Sequence, residues 1–303
     1  MPSDDLAAHL RRILRAPSPF YRQRLLAAGA SEAEPLDAAV LARLPLTRRA
    51  ELLRDQLDHL PFGTRRFADA QPPVRLGVTG GGDDLLVLAW SGPELARERA
   101  AGIRLLGRLG VRAGMRVANA LPGALATPGS LLLGDVVEEL GSLDVPLGAV
   151  EGEAAARQAW ELADRVEPEV IVLDEPSGRA FLSSAPARER PWWRGIVWLR
   201  CGPPAPPAVP AAAGFSGWRR SWLAVPEATS FVAGTCAASR FHVEEGVLAE
   251  VVDEATGAVR HEGVLALTPV GGETQLLRYA TGLRVRAVER CGCGERGAAL
   301  ELL

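Results

Sequence analysis

Between residues 85 and 173 the chain alternates short apolar runs with stretches of helical period, and this alternation restricts the fold more than any other feature. Leu85 to Trp90, Met115 to Leu121, Asp144 to Val150 and Val170 to Leu173 have the length and apolar character of strands. Pro93 to Leu109, Leu131 to Leu140 and Glu153 to Val166 repeat apolar residues at helical spacing, the last with acidic residues in its first turn, where they suit the helix dipole. Strands and helices in alternation predict an α/β fold, a doubly wound and mostly parallel sheet with helices on both faces.

The flanks read differently. Residues 5 to 60 carry helical spacing broken at Pro17, Pro19, Pro35 and Pro45, which predicts several short helices. After Asp174 the alternation fades: Ser183 to Trp193 is polar, Gly195 to Leu199 is a further strand, and Pro203 to Pro210 is a proline-rich connection. From Phe241 the segments are short and β-like: Gly246 to Val252, a turn at 254 to 257, Gly263 to Thr268, Leu276 to Tyr279 and Leu283 to Val288. The expected organisation is a helical segment at 1–70, an α/β body at 71–232 and a small antiparallel β subdomain at 233–303.

With 303 residues, 48% of them hydrophobic and 23% charged, the chain can bury a sizeable core, which excludes disorder. A net charge of −3 gives no electrostatic reason to bind nucleic acid or an anionic membrane. Neither a secretory signal nor an apolar run of ~18 residues is found, so a cytoplasmic, bacterial setting is expected. Four cysteines are too few for a disulfide scaffold. All 34 basic residues are arginine; the sequence contains no lysine.

Cys236 and His242 are separated by five residues, and Cys291 and Cys293 by one. Three thiolates and one imidazole match a closed, tetrahedral structural zinc site, with no open position for catalysis. The plain alternative is three small buried cysteines and a surface histidine. Such a zinc would clip residues 235–243 to the turn at 290–294 and contribute to folding. Cys201, before a Gly-Pro-Pro turn, is expected to be buried, and His9, His59 and His261 to sit on the surface or at helix ends.

Several short motifs, in order along the chain, resemble the phenylacetate-CoA ligases of the acyl-adenylate-forming superfamily. Ser18-Pro19-Phe20-Tyr21-Arg22, Leu44-Pro45-Leu46-Thr47 and Pro61-Phe62-Gly63 are similar to that family's amino-terminal signature. Gly110 to Val117 resembles "GVRPGDRV", and Glu138 to Gly148 the strand and turn that follow it. Leu277-Arg278-Tyr279-Ala280-Thr281-Gly282 resembles "LRYRTGD", and Cys291-Gly292-Cys293-Gly294 resembles "CPCGR". Members of the family often hold a structural zinc with a Cys…His pair and a Cys-x-Cys pair in corresponding segments, the first pair usually one residue wider.

The resemblance implies a reaction in which a carboxylate attacks the α-phosphate of ATP and coenzyme A then displaces AMP. The residues that would serve it are altered here. The phosphate loop, of the form "SSGTTGKP", corresponds to Val78-Thr79-Gly80-Gly81-Gly82-Asp83-Asp84, which offers glycine N–H groups to an anion but sets two carboxylates where hydroxyls and a lysine belong. Its plain reading is an exposed Gly-Asp turn. The aspartate that binds the ribose hydroxyls is replaced by Leu283, while Arg278 and Thr281 persist, as nucleotide remnants or as turn residues. Gly202, in Cys201-Gly202-Pro203-Pro204, corresponds to the "GGEP" turn without its glutamate. In Ser221 to Glu227, the counterpart of "YGLSE", Glu227 keeps a carboxylate for Mg²⁺ or is an ordinary solvated acid. The family's catalytic lysine lies in a carboxyl-terminal lid domain that the given chain, ending at Leu303, is expected to lack.

The expected function is therefore that of a catalytically degenerate ligase-like protein, which binds a partner ligase, a biosynthetic enzyme or an acyl ligand, with a homodimer as a further expectation. The alternative is Mg²⁺·ATP-dependent adenylation of an aryl or acyl carboxylate, with lid and lysine supplied by another chain. Five tryptophans between Trp192 and Trp222 pack a core or line a ligand pocket.

Overall fold

The computed structural model describes residues 3–123, 125–202, 206–295 and 297–303. Two compact units emerge: the first is Met1–Arg97, Val225–Thr229 and Val243–Leu303, the second Glu98–Ala224 and Ser230–His242.

The second unit contains the doubly wound sheet. Its strands are β3 (Arg116–Asn119), β4 (Leu143–Pro146), β5 (Val170–Leu173), β6 (Gly195–Arg200), β7 (Trp218–Val225), β8 (Thr229–Thr235) and β9 (Phe241–Val243), in the order β4-β3-β5-β6-β7-β8-β9. From β4 to β7 neighbours run parallel. Successive residues of a strand point to opposite faces, so Val117, Val170, Val172 and Val197 meet α5 (Gly92–Leu109) and α6 (Ser130–Glu139) on one side. Ala118, Ile171, Leu173 and Ile196 meet α7 (Gly152–Val166) and α8 (Glu175–Ser183) on the other. In α7 the buried residues are Ala156, Ala159, Trp160 and Ala163, the spacing of a single helical stripe. The predicted helices on both faces of a largely parallel sheet are thus present.

Two details of this unit differ from expectation, and the tryptophans follow one of the two readings given for them. The stretch just after Asp174, where the alternation was expected to fade, contains α8, because Asp174 caps the helix by accepting the N–H of Ser177 at 2.9 Å and Pro176 sits in the first turn, where no N–H is needed. Strands β7 and β8 were not anticipated; Arg219, Arg220 and Ser221 interrupt the apolar pattern of β7. Of the tryptophans expected to pack a core or line a pocket, Trp193, Trp198 and Trp222 are buried, Trp192 and Trp218 pack partly buried against the cores, and Trp222 stacks on Phe231 at 4.7 Å.

The first unit opens with the expected short helices, α1 (Ser3–Arg15), α2 (Pro19–Ala27), α3 (Ala38–Ala42) and α4 (Arg49–Asp58). Leu10, Ile13, Tyr21, Leu25 and Leu41 pack the first three of these into one core with Phe67 and Leu277. The apolar run near residue 86 is a strand, β2 (Leu86–Trp90), but outside the parallel sheet: it pairs antiparallel with β1 (Arg75–Thr79) in a two-stranded ribbon. A four-stranded antiparallel array completes the unit: β10 (Val247–Val252), β11 (Glu262–Pro269), β12 (Tyr279–Val288) and β13 (Ala299–Leu302). Strand β12 begins only at Tyr279, the last residue of the first expected segment, and runs through the second, Leu283 to Val288, with a register shift between Val264 and Ala266 of its partner. No helix of the described residues is long and apolar enough to cross a membrane.

Candidate functional site

Within the first unit, Thr47 sets the position of the neighbouring arginine. Its N–H donates to the Arg278 carbonyl at 2.9 Å, its carbonyl accepts from Ala280 N–H at 2.9 Å, and its hydroxyl donates to the Leu277 carbonyl at 2.8 Å. This parallel bridge to Tyr279 fixes the entry to α4, whose first residue is Arg49. A capping box holds the start of the helix, with the Arg48 N–H donating to Glu51 at 2.8 Å.

Arg49 reaches from there into the loop after β1. Its Nε donates to both Asp84 carboxylate oxygens at 3.0 and 2.8 Å, and its Nη2 to the carbonyls of Thr79 at 2.9 Å and Asp84 at 2.6 Å. Its Nη1 donates to Glu227 Oε1, and the Thr79 hydroxyl donates to the same oxygen at 3.1 Å. Thr79, Gly80 and Glu227, three of the residues singled out in the sequence, are therefore drawn together by a fourth that was not. Gly80, at φ +76°, has no room for a Cβ, which would strike the Asp84 carbonyl and Arg49 Nη2. Gly81 and Gly82 lie in the open part of the same loop.

The charges in this cluster shift one another's titration. Burial works against the Arg49 cation, but the hydrogen bond to Asp84 and the fields of Glu227 and Tyr279 outweigh it and raise its pKa. Burial, followed by the Glu227 carboxylate, pushes the Tyr279 phenol above its ordinary range. Burial lowers the pKa of Arg65, a 4% exposed guanidinium in the fields of Tyr21, Asp55, Tyr279 and Glu227. Glu227 is no solvated acid, with a side chain 8% exposed, and Asp84 is ion-paired rather than a bare turn residue. A new anion at this loop meets two carboxylates that share a single guanidinium.

The other residues that the resemblance would assign to nucleotide binding have separate surroundings. Arg278, at φ +47° and 1% exposed, donates to the carbonyls of Ala42, Leu44 and Gly257 at 3.0, 2.6 and 2.6 Å and to Glu250 at 3.1 Å. Thr281 donates to the Leu265 carbonyl at 2.9 Å and accepts from Leu283 N–H at 3.1 Å. Leu283 is buried in β12. Gly202 belongs to the second unit, where its carbonyl accepts from Arg200 at 3.3 Å; Pro203 and Pro204 lie outside the described residues.

The expected metal ligands come together. One donor atom from each of Cys236, His242, Cys291 and Cys293 lies within 4.8 Å of the others. Cys236 and His242 flank a tight turn in which Cys236 N–H donates to the Arg240 carbonyl at 2.9 Å, and Ser239 takes a positive φ of 58°. In the second pair Gly294 N–H donates to the Cys291 carbonyl at 3.3 Å and Glu295 N–H to Cys293 Sγ at 3.4 Å. Three sulfurs and a nitrogen so close together fit a metal ion that takes thiolate and imidazole ligands. Two lesser expectations need correction. Cys201 is exposed, because it lies past the end of β6 rather than in it, and His9 is buried at 4%, on the core face of α1. His59 does end α4, and His261 is exposed.

No protein-family model and no curated protein matches this sequence. The fold has close parallels among solved structures. A 2-hydroxyisobutyryl-CoA ligase in an open conformation, with 2-HIB-AMP and CoA, superposes with a TM-score of 0.86 at 16% identity, over 98% of this chain and 71% of that one. The same ligase in the postadenylation state gives 0.84 at 16% identity, over 98% and 64%. The N-terminal domain of FACL13 from Mycobacterium tuberculosis gives 0.55 at 12% identity, over 92% and 71%. A long-chain-fatty-acid-CoA ligase, FadD1, from Archaeoglobus fulgidus gives 0.58 at 11% identity, over 80% and 53%. The chain thus has the fold of adenylate-forming CoA ligases and spans from 53% to 71% of the length of these structures.

Proposed function

We propose that this chain is a phenylacetate-CoA ligase-like member of the acyl-adenylate-forming superfamily that has lost adenylation chemistry and acts by binding a partner protein or an acyl ligand. The observation that carries this reading is the engagement of Arg49 with Thr79, Asp84 and Glu227. For a metal-bound triphosphate to settle on the loop after β1, this guanidinium must abandon both carboxylates and both carbonyls. The exposed pair with Asp84 is screened by solvent and contributes at most about 1 kcal/mol, so the largely buried contact with Glu227 is the main one ATP would have to displace before gaining anything. Leu283, apolar and buried, accepts nothing from a ribose. None of these 303 residues is a lysine that could supply a compact ammonium at the reacting phosphate, and arginine does not reproduce its geometry. We further propose that Cys236, His242, Cys291 and Cys293 hold a structural Zn²⁺, since four protein ligands leave no open position.

The test is direct. Purified protein, supplied with Mg²⁺·ATP and an aromatic acid, should release no pyrophosphate above background, and calorimetric titration with Mg²⁺·ATP should show no binding below about millimolar. Steady pyrophosphate release by the chain alone would overturn the reading. Tight Mg²⁺·ATP binding without turnover would favour instead an adenylating enzyme completed by a lysine-bearing second chain.

A further inference from the structure

The oxygens that converge on Arg49 are of one chemical kind. Around the guanidinium stand the carboxylates of Asp84 and Glu227 and the main-chain carbonyls of Thr79 and Asp84, with the Thr79 hydroxyl bonded to the Glu227 oxygen. Several hard oxygens, two of the groups ionised, are what a divalent cation such as Ca²⁺ takes. Here the loop is shaped around an organic cation. Gly80 leaves room for Nη2 where any side chain would collide with it, and the planar fork sends donors in three directions to reach every partner.

We infer that Arg49 is the resident cation of this loop, a guanidinium that fills the oxygen cage of Thr79, Asp84 and Glu227 and keeps divalent metal out of it. The inference rests on the reading of the site as degenerate and gives it a cause. A triphosphate that arrives with its metal finds the metal's place taken by a group that cannot diffuse away. Removing Arg49 leaves two carboxylates and two carbonyls without a counter-charge, which creates a hard-cation site.

Terbium luminescence with calcium competition reads this on zinc-loaded protein, so that the Cys and His donors are occupied and a hard ion is directed to oxygen. Wild type should show no saturable terbium site dependent on Glu227. Arg49→Met should bind terbium about tenfold or more tightly than wild type, and Arg49→Met combined with Glu227→Gln should return to the wild-type level. Arg49→Lys keeps the charge but cannot reach every partner and should fall between. A wild-type site that weakens on Glu227→Gln would overturn the inference, as would a folded Arg49→Met protein that binds no better than wild type. If Arg49→Met does not fold, Arg49→Lys carries the test, and affinity unchanged from wild type overturns the inference. Neither nucleotide nor acid enters these titrations, so pyrophosphate release by wild type would defeat the proposed function and leave this result separate.

Discussion

Gln56 and Val87 exchange two hydrogen bonds: the amide Nε2 donates to the Val87 carbonyl at 2.9 Å, and the Val87 N–H donates to Gln56 Oε1 at 2.8 Å. One side chain of α4 thereby stands in for a neighbouring strand along β2. Gln56→Leu keeps the volume and strands both Val87 groups, so a stability loss of ~2 kcal/mol is expected. Urea unfolding should show a lower midpoint at unchanged slope; an unmoved midpoint would mean the pairing contributes nothing.

His9 makes stability depend on pH. Burial, then Arg12 and Arg97, lower its pKa from 6.5 to about 4. The unfolded chain therefore gains a proton as pH falls through about 6.5, and the folded chain does not until about 4, so stability drops across that interval. Between about pH 7 and pH 5 this group alone should remove roughly 2 kcal/mol. In His9→Leu the drop over the same range should be smaller by that amount, measured by denaturation at both pH values.

Arg278 ties three carbonyls and the Glu250 carboxylate together in the interior of the first unit. Arg278→Met should cost ~3–5 kcal/mol, because it leaves a buried carboxylate without its cation. Burial already raises the Glu250 pKa despite the opposing pull of Arg278. Without the arginine that pKa rises further, the folded state takes up a proton more readily, and the deficit relative to wild type should shrink on acidification. A deficit that grows toward acid pH would contradict this assignment.

Gly178 in α8 faces the Trp198 ring so closely that a Cβ would overlap Cζ3 and Cη2. Alanine is favoured over glycine in a helix by ~1 kcal/mol, but overpacking costs ~1–3 kcal/mol. Gly178→Ala should therefore lower the melting temperature by a few degrees. A rise would show that the indole moves aside without strain.

Zinc should copurify at one ion per chain, visible by native mass spectrometry, and Cys293→Ser should lose it. Chelation should lower the melting temperature by several degrees, since metal bound only by the folded state adds its binding energy to folding. Absence of metal from protein grown with zinc would remove the assignment.

The residues differ in how openly they announce these roles. Ala156, Ala159, Trp160 and Ala163 mark α7 because the helical period falls on one stripe, and Val170 to Leu173 marks a strand because both faces are covered. Helix α8 is concealed by Pro176 and Gly178, which depress helix propensity although proline is harmless in a first turn and glycine is required beneath an indole. At the site, Thr79, Gly80 and Glu227 are recognisable in the sequence, as are the four metal-ligand candidates. Arg49 is not, for it is one of 34 arginines and nothing local distinguishes it. Its position is created by the bridge between Thr47 and Tyr279, 232 residues apart in numbering, which only the folded chain reveals.

The aromatic residues are unevenly shared. Of the seven tryptophans, only Trp90 belongs to the first unit, which also contains both tyrosines, Tyr21 and Tyr279. Intrinsic fluorescence excited at the red edge of indole absorption therefore follows the second unit almost alone. Set beside a far-ultraviolet dichroism melt, it would tell an observer whether the two bodies lose their order together or in turn.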